Sequence, residues 1–363
     1  MKVSFIHTGD LHLGRQFHFS NRNEIFGNNT RNDLWKTFEK IINTAEKNKI
    51  NFLLISGDLF DTEEIEIGEI KRVAQKLGKL TMTKTIICPG NHDYYSQFTL
   101  YGLIQWPENV YLFDKDKMSD LYFPEWQTRI FGLGWVKDTY TNIPFNDHMS
   151  LKEEENNILM LHGDAYNSQS ELMPIDISKF DYFDYVALGH IHKSDFLTRR
   201  VAYCGCPEPL SFKDRGDHGI IVGQIEQHRC TTHFVSTQKR QFVDATIEVT
   251  PEMSIDNLRE ACLKIAPEKE RMVNYYRIHL KGYRDTSLSV KWLIDECIHL
   301  FYYIEIEDDE LKPDLDVDRI LDDNRDNIIG QFIQAMRRDP SDPVAQKALY
   351  YGLEGLLKDG EDQ

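Results

Sequence analysis

Five short apolar runs, each handing over through a small or polar residue to a motif of acids, amides and imidazoles, constrain this chain most. Lys2 to Thr8 stops at Gly9, ahead of Asp10-Leu11-His12; Asn51 to Ser56 stops at Gly57-Asp58. Thr85 to Cys88 ends at Pro89-Gly90, ahead of Asn91-His92-Asp93, Asn157 to Leu161 ends at His162-Gly163, and Tyr185 to Leu188 ends at Gly189-His190-Ile191-His192. Short apolar runs closed by such residues predict strands. Open α/β sheets place ligands in the crevice beyond the carboxyl ends of their strands. The expectation is therefore an α/β fold in which all five motifs meet at one sheet edge.

An Asp-x-His is common by chance in a chain with 13 histidines and 59 acidic residues, but five motifs in order are not. Neutral imidazole and carboxylate oxygen suit borderline and hard divalent ions, so manganese, iron, zinc and magnesium are the candidates. Two such ions roughly 3.5–4 Å apart can clamp the attacking and leaving oxygens of a phosphoryl displacement. Phosphoester hydrolysis is the chemistry this residue set serves.

The stretches His7-Thr8-Gly9-Asp10-Leu11-His12-Leu13-Gly14, Ser56-Gly57-Asp58-Leu59-Phe60-Asp61, Gly90-Asn91-His92-Asp93 and Ala187-Leu188-Gly189-His190-Ile191-His192-Lys193 resemble the calcineurin-like metallophosphoesterases, and within them the SbcD/YhaO-type DNA repair nucleases. Tyr203 to Phe212 is similar to the strand and turn that follow in that type, and the likeness covers roughly residues 1–225. The resemblance implies a four-layer α/β/β/α sandwich. It implies one metal held by Asp10, His12 and His192, another by Asn91, His162 and His190, and Asp58 bridging them. It implies a metal-bound hydroxide as nucleophile, most readily on Mn(II), with His92 as acid on the leaving oxygen or stabiliser of the phosphate charge. Asp93 is then expected to orient His92. Arg15, Lys193, Lys213 and Arg215, which follow motifs at the site edge, are the expected substrate contacts; His7 is read as packing, and His18, His148, His218, His228, His233, His279 and His299 as ordinary histidines.

Charge argues about partners. Neutralising phosphates with Lys and Arg supplies most non-specific DNA affinity, and this chain has 42 such residues against 59 acids, for a net charge of −17. The acidic run Thr62-Glu63-Glu64-Ile65-Glu66 beside the expected site adds repulsion. The resemblance answers with a homodimer bound to an SMC-like ATPase of the SbcC type, which carries much of the DNA surface for duplex ends or single strands. The alternatives are a hydrolase of small phosphodiesters or nucleotides, and a metal-bound structural subunit of such an ATPase complex. No apolar run approaches the roughly 20 residues of a membrane span, and no Cys-x-x-Cys pair occurs among six cysteines. A cytoplasmic protein with free thiols and no membrane contact is expected.

Three segments are expected: a metallophosphoesterase domain over 1–240, an α+β cap over 241–312, and a C-terminal helical pair over 313–363. Periodicity predicts helices over Asp33–Lys47 and Glu69–Leu80, after an irregular segment between 14 and 32. In the cap, Ala245–Val249, Tyr275–Leu280 and Tyr302–Ile306 read as strands, and Ile255–Ile265 and Val290–His299 as helices. Glu305 to Glu310 with Lys312-Pro313 reads as a linker or exposed loop, and one helix over Val317–Arg338 and a second from Asp342-Pro343 complete the chain as an ATPase-docking candidate.

Overall fold

The computed structural model describes residues 2–19, 24–98, 100–143, 151–339 and 342–361, which form two compact units, Met1–Gln241 and Phe242–Gln363. In the first, β1 (Lys2–Thr8), β2 (Phe52–Ile55), β3 (Lys84–Ile87) and β4 (Val110–Leu112) run parallel. A second sheet is built from β5 (Ser119–Phe123), β6 (Thr128–Leu133), β7 (Asn156–His162), β8 (Tyr185–Gly189), β9 (Asp195–Phe196) and β10 (Val201–Tyr203), in the order β5-β6-β7-β8-β10-β9. The chain then returns to the first sheet as β11 (Gly219–Glu226), antiparallel to β1, and β12 (Arg229–Ser236).

Period-2 alternation explains the layers, because both faces of each sheet are buried. Phe52 and Leu54 of β2 point between the sheets with Ile158 and Met160 of β7 and Tyr185 and Ala187 of β8. Their neighbours Leu53 and Ile55 face the opposite way, onto Leu34, Phe38 and Ile41 of α1 (Glu24–Lys47) and Ile70, Val73 and Leu77 of α2 (Ile67–Leu77). Leu159, Leu161, Val186 and Leu188 form the far face, covered by Trp135, Tyr140, Met173, Phe180 and Phe183; within that cover Ile177–Phe180 is a 3-10 turn.

Helix α1 begins nine residues before the expected Asp33, which corrects the reading of 14–32 as irregular throughout. The buried face continues back through Thr30 and Gly27, too small or polar to register as apolar periodicity. A Cβ at Gly27 would stand 2.3 Å from the Phe17 carbonyl, so glycine lets that segment pass against the helix.

The second unit holds a parallel sheet of β13 (Phe242–Val249), β14 (Tyr275–Arg284) and β15 (Tyr303–Pro313). Leu258 and Cys262 of α3 (Ile255–Lys264) and Leu293 and Cys297 of α5 (Val290–Cys297) pack against Tyr276, Ile278 and Leu280, with the short α4 (Glu268–Arg271) between. The expected linker at Glu305–Glu310 is instead part of β15. Pairing with β14 brings basic partners to its acids: Arg277 against Glu305 and Glu307, His279 against Glu307, and Lys281 3.0 Å from Glu310. The expected helix Val317–Arg338 divides into α6 (Val317–Asp323) and α7 (Ile328–Met336), because Asn327 caps α7 by accepting from the amides of Ile329 (2.9 Å) and Gly330 (3.3 Å). The last helix, α8 (Pro343–Glu361), packs Leu349 and Leu353 with Ile333. No helix among the described residues is long and apolar enough to cross a membrane.

Candidate metal centre

Each motif leaves the carboxyl end of a strand, but the five divide between two sheets, correcting the expectation of one edge. β1, β2 and β3 deliver Asp10, His12, Asp58, Asn91 and His92; β7 and β8 deliver His162, His190 and His192. The loops are laced together by backbone: Asp10 N–H donates to Gly57 O, His12 N–H to Asp58 O and Leu13 N–H to Leu59 O, each at 3.0 Å. Across the sandwich, the His190 amide donates to the Asp10 carboxylate at 3.1 Å. Four of these residues hold a positive φ without being glycine: Asp10 (48°), His12 (44°), Asp58 (48°) and His190 (102°). Such strain persists where the surroundings over-determine it and concentrates at functional sites.

Among the described residues, ligand atoms of Asp10, His12 and His192 lie within 4.8 Å of one another, as do those of Asp10, Asp58 and His162. Asp58 Oδ2 is 3.7 Å from His12 Nε2 and 3.4 Å from His162 Nε2. Asn91 Oδ1 is 2.9 Å from His162 Nε2, and the His162 and His190 rings stand 5.3 Å apart. Thus all seven expected ligands gather.

The set fits divalent ions. Both ring nitrogens of His12 are buried without a hydrogen-bond partner, an arrangement that costs free energy unless something is bound there. The Nδ1–H of neutral His162 can donate to Ser56 O at 2.9 Å, which leaves the Nε2 lone pair facing the oxygens of Asn91 and Asp58. Acceptors crowded in this way call for a cation between them. In the free chain a proton on His162 can play that part: burial opposes charge on both His162 and Asp58, yet their attraction wins, holding the Asp58 carboxyl far below its usual range and raising His162 to about 9. Burial and the neighbouring His162 hold His190 below the usual imidazole range.

His92 is the outlying member, its side chain 48 % exposed and its amide donating to Asp58 Oδ1 at 2.9 Å. The carboxylate beside its ring is Asp61, at 4.0 Å, and not Asp93. Asp93 is fully buried and committed elsewhere: it accepts from the amides of Leu59 (2.7 Å), Phe60 (3.2 Å) and Gly90 (2.7 Å) and from the Tyr101 hydroxyl. It therefore ties two ligand loops together rather than orienting His92, and burial followed by the Asp58 charge pushes its pKa up to about 6.

Sequence reasoning gave no role to Asp61 or Asp214. Asp61 lies 3.6 Å from His12 and 3.7 Å from Arg15, and its place three residues after Asp58 was the available signal. Asp214 sits 3.1 Å from His192 Nδ1, with nothing in its local sequence to mark it. The expected substrate contacts border these groups: Arg15 pairs with Asp61, Lys193 is exposed next to His192, and exposed Lys213 and Arg215 flank Asp214. His7 is buried between the Tyr185 and Ser56 hydroxyls, at 2.9 and 3.0 Å, and His218 meets the Cys206 thiol at 3.1 Å; His148 lies outside the described residues. Two acids of the run 62–66 have structural partners of their own. Glu66 caps α2 in a box with Glu69, next to the positive helix end, and Glu64 accepts from the Gln16 amide.

Two sheets whose strand ends pool carboxylates, an amide and imidazoles around a buried acceptor cluster define a candidate metal centre of the metallohydrolase kind. The chain belongs to the calcineurin-like phosphoesterases, whose family pattern matches residues 3–194. Over 262 residues it is 25 % identical to the uncharacterized metallophosphoesterase YhaO of Bacillus subtilis, covering 68 % of this chain and 64 % of that one. Over 215 residues it is 27 % identical to the DNA double-strand break repair protein Mre11 of Sulfurisphaera tokodaii, covering 55 % and 50 %. The chain thus matches about half to two thirds of the length of these curated relatives. Among solved structures it is similar to a dimetal phosphatase from Danio rerio (TM-score 0.37, 9 % identity, 64 % of this chain and 98 % of that one) and to a purple acid phosphatase from yellow lupin seeds (TM-score 0.40, 12 %, 65 % and 52 %).

Proposed function

We propose that this phosphoesterase is a two-metal phosphodiesterase acting on DNA, with Mn(II) as the activating ion. The observation that carries the metal reading is the buried His12 imidazole, whose ring nitrogens make no hydrogen bond although Asp58 and Asp61 stand 3.7 and 3.6 Å away. Asp10, His12 and His192 would hold one ion, Asn91, His162 and His190 the other, and Asp58 both. Bound divalent ions supply Lewis-acid charge to phosphate oxygens and make water more acidic.

The chain's own residues do the rest. Asp93 and its three amide donors fix the Asp58 and Asn91 loops relative to each other. Half-exposed His92 is free to reach a bound phosphodiester, giving a proton to the leaving oxygen or a hydrogen bond to the phosphate. Asp61 stands where it can steer that imidazole. DNA as substrate is supported by the likeness to a protein named for double-strand break repair. The net charge of −17 supports a division of labour, in which the chain works as a homodimer bound to an SMC-like ATPase and that partner supplies most of the duplex-binding surface.

The test is cleavage of end-labelled linear duplex and single-stranded DNA with Mn(II), beside bis-p-nitrophenyl phosphate as a small phosphodiester. Chelator should abolish cleavage, and His92→Ala should reduce it about 10²–10⁴-fold, the range for a general acid. Turnover of the small ester with none of DNA, even with the ATPase added, would select the small-substrate reading. Tight Mn(II) binding with no turnover of either would select a structural subunit.

A further inference from the structure

The geometry points to Asp214 as the positioning residue that sets His192 as a metal ligand, an inference that rests on the two-metal reading. Asp214 lies in the turn after β10, and its side chain is only 10 % exposed. One oxygen, Oδ2, accepts from the Leu210 amide at 3.1 Å and the Ser211 hydroxyl at 3.2 Å, so the turn itself holds the carboxylate. The other, Oδ1, is 3.1 Å from His192 Nδ1. A carboxylate only accepts, so Nδ1 must carry the proton and Nε2 is left as the lone-pair donor. The ring so fixed stands 5.3 Å from His12, in the cluster with Asp10. The turn 210–214 therefore acts on the metal centre through one imidazole, although it is remote from the ligand motifs in sequence.

Cys206 shares this neighbourhood and could instead make a separate cation site with His192 and Asp214. Its thiol already has partners, His218 Nδ1 at 3.1 Å and the His192 carbonyl at 3.4 Å, which favours the positioning role.

Asp214→Asn separates the cases, since the amide has the same shape but only one acceptor. If its oxygen stays on Leu210, its NH2 faces His192 and demands the opposite tautomer. If it turns round, two donors oppose each other at Leu210. Mn(II) is titrated calorimetrically into the metal-free full chain for wild type, Asp214→Asn, His192→Ala, the double variant and Cys206→Ser, with metal-free melting curves to confirm folding. Wild type should bind two ions; Asp214→Asn should weaken one of them about 10–100-fold and add no further loss to His192→Ala. An Asp214→Asn isotherm that superimposes on wild type overturns the assignment, as does the same loss on the His192→Ala background. A third ion lost in both Asp214→Asn and Cys206→Ser overturns it by making Asp214 a ligand. A wild type that binds fewer than two Mn(II) ions overturns the two-metal reading itself, and only that outcome does so.

Discussion

Replacing Gly90 with alanine perturbs the metal centre while leaving every proposed ligand side chain chemically intact. A Cβ at position 90 would lie 2.2 Å from Asp58 Oδ1, 2.7 Å from Asp58 N and 2.9 Å from His162 Cε1. Non-bonded carbon and oxygen do not approach that closely, so Asp58 and its loop must retreat by about 1 Å to restore ordinary contact. Asp58 cannot retreat cheaply, because His92 N–H holds Oδ1 and the backbone is already in a left-handed conformation. A displacement of about 1 Å at reacting groups costs about 100-fold in rate, near 2.7 kcal/mol in the barrier. Gly68 on α2 supplies the control, since nothing lies within 4 Å of its added Cβ, and alanine there should leave folding and activity unchanged. The assay is Mn(II)-dependent phosphodiester cleavage together with the melting curve of each variant. Gly90→Ala that folds and keeps activity within about threefold of wild type would refute the claim that Asp58 is held to that position.

Glu208 is buried against Thr37 and the Lys239 amide, and burial raises its pKa from 4.5 to about 7. Because the folded-state value is the higher one, stability is fully present below pH ~4.5 and is lost as pH rises toward ~7, by about 3 kcal/mol at 1.36 kcal/mol per pH unit. Glu208→Gln should abolish that fall. Urea unfolding of wild type and variant at pH 5.0 and 7.5 checks it, and equal differences at the two pH values would contradict it. Four of the five tryptophans, Trp35, Trp106, Trp126 and Trp135, lie in the first unit, so their fluorescence reports its transition. In the second unit, Ser254 accepts from the Asn257 amide at 3.2 Å and its own amide donates back to the Asn257 side chain at 3.0 Å, so Ser254→Ala should cost about 1 kcal/mol. Circular dichroism melts would show it.

What could be read without coordinates was local in origin. A run such as Phe52-Leu53-Leu54-Ile55 has no polar face to turn to water and so calls for cover on both sides, and a Gly-Asp or Gly-Asn-His ending marks where backbone must turn and polar atoms collect. Hence the five strands that carry the motifs were legible, and with them the set of side chains that gathers at their ends. Helix α1 was legible only where its buried face is apolar, because Gly27 and Thr30 bury as well as leucine does but carry no hydrophobic signal.

Other features depended on which distant segments meet. The acids from Glu305 to Glu310 look like a solvated linker until β14 places Arg277, His279 and Lys281 beside them. Asp93 adjoins His92 in sequence yet faces the amides of Leu59 and Phe60, whereas Asp61, thirty-one residues away, stands beside the imidazole. A carboxylate's partners are set by three-dimensional approach, and neighbours along an extended or turning chain point in different directions. The sequence alone therefore determined which groups could bind metal; tertiary packing decided which sheet delivers each one and which carboxylates, Asp61, Asp93 and Asp214, hold the others in place.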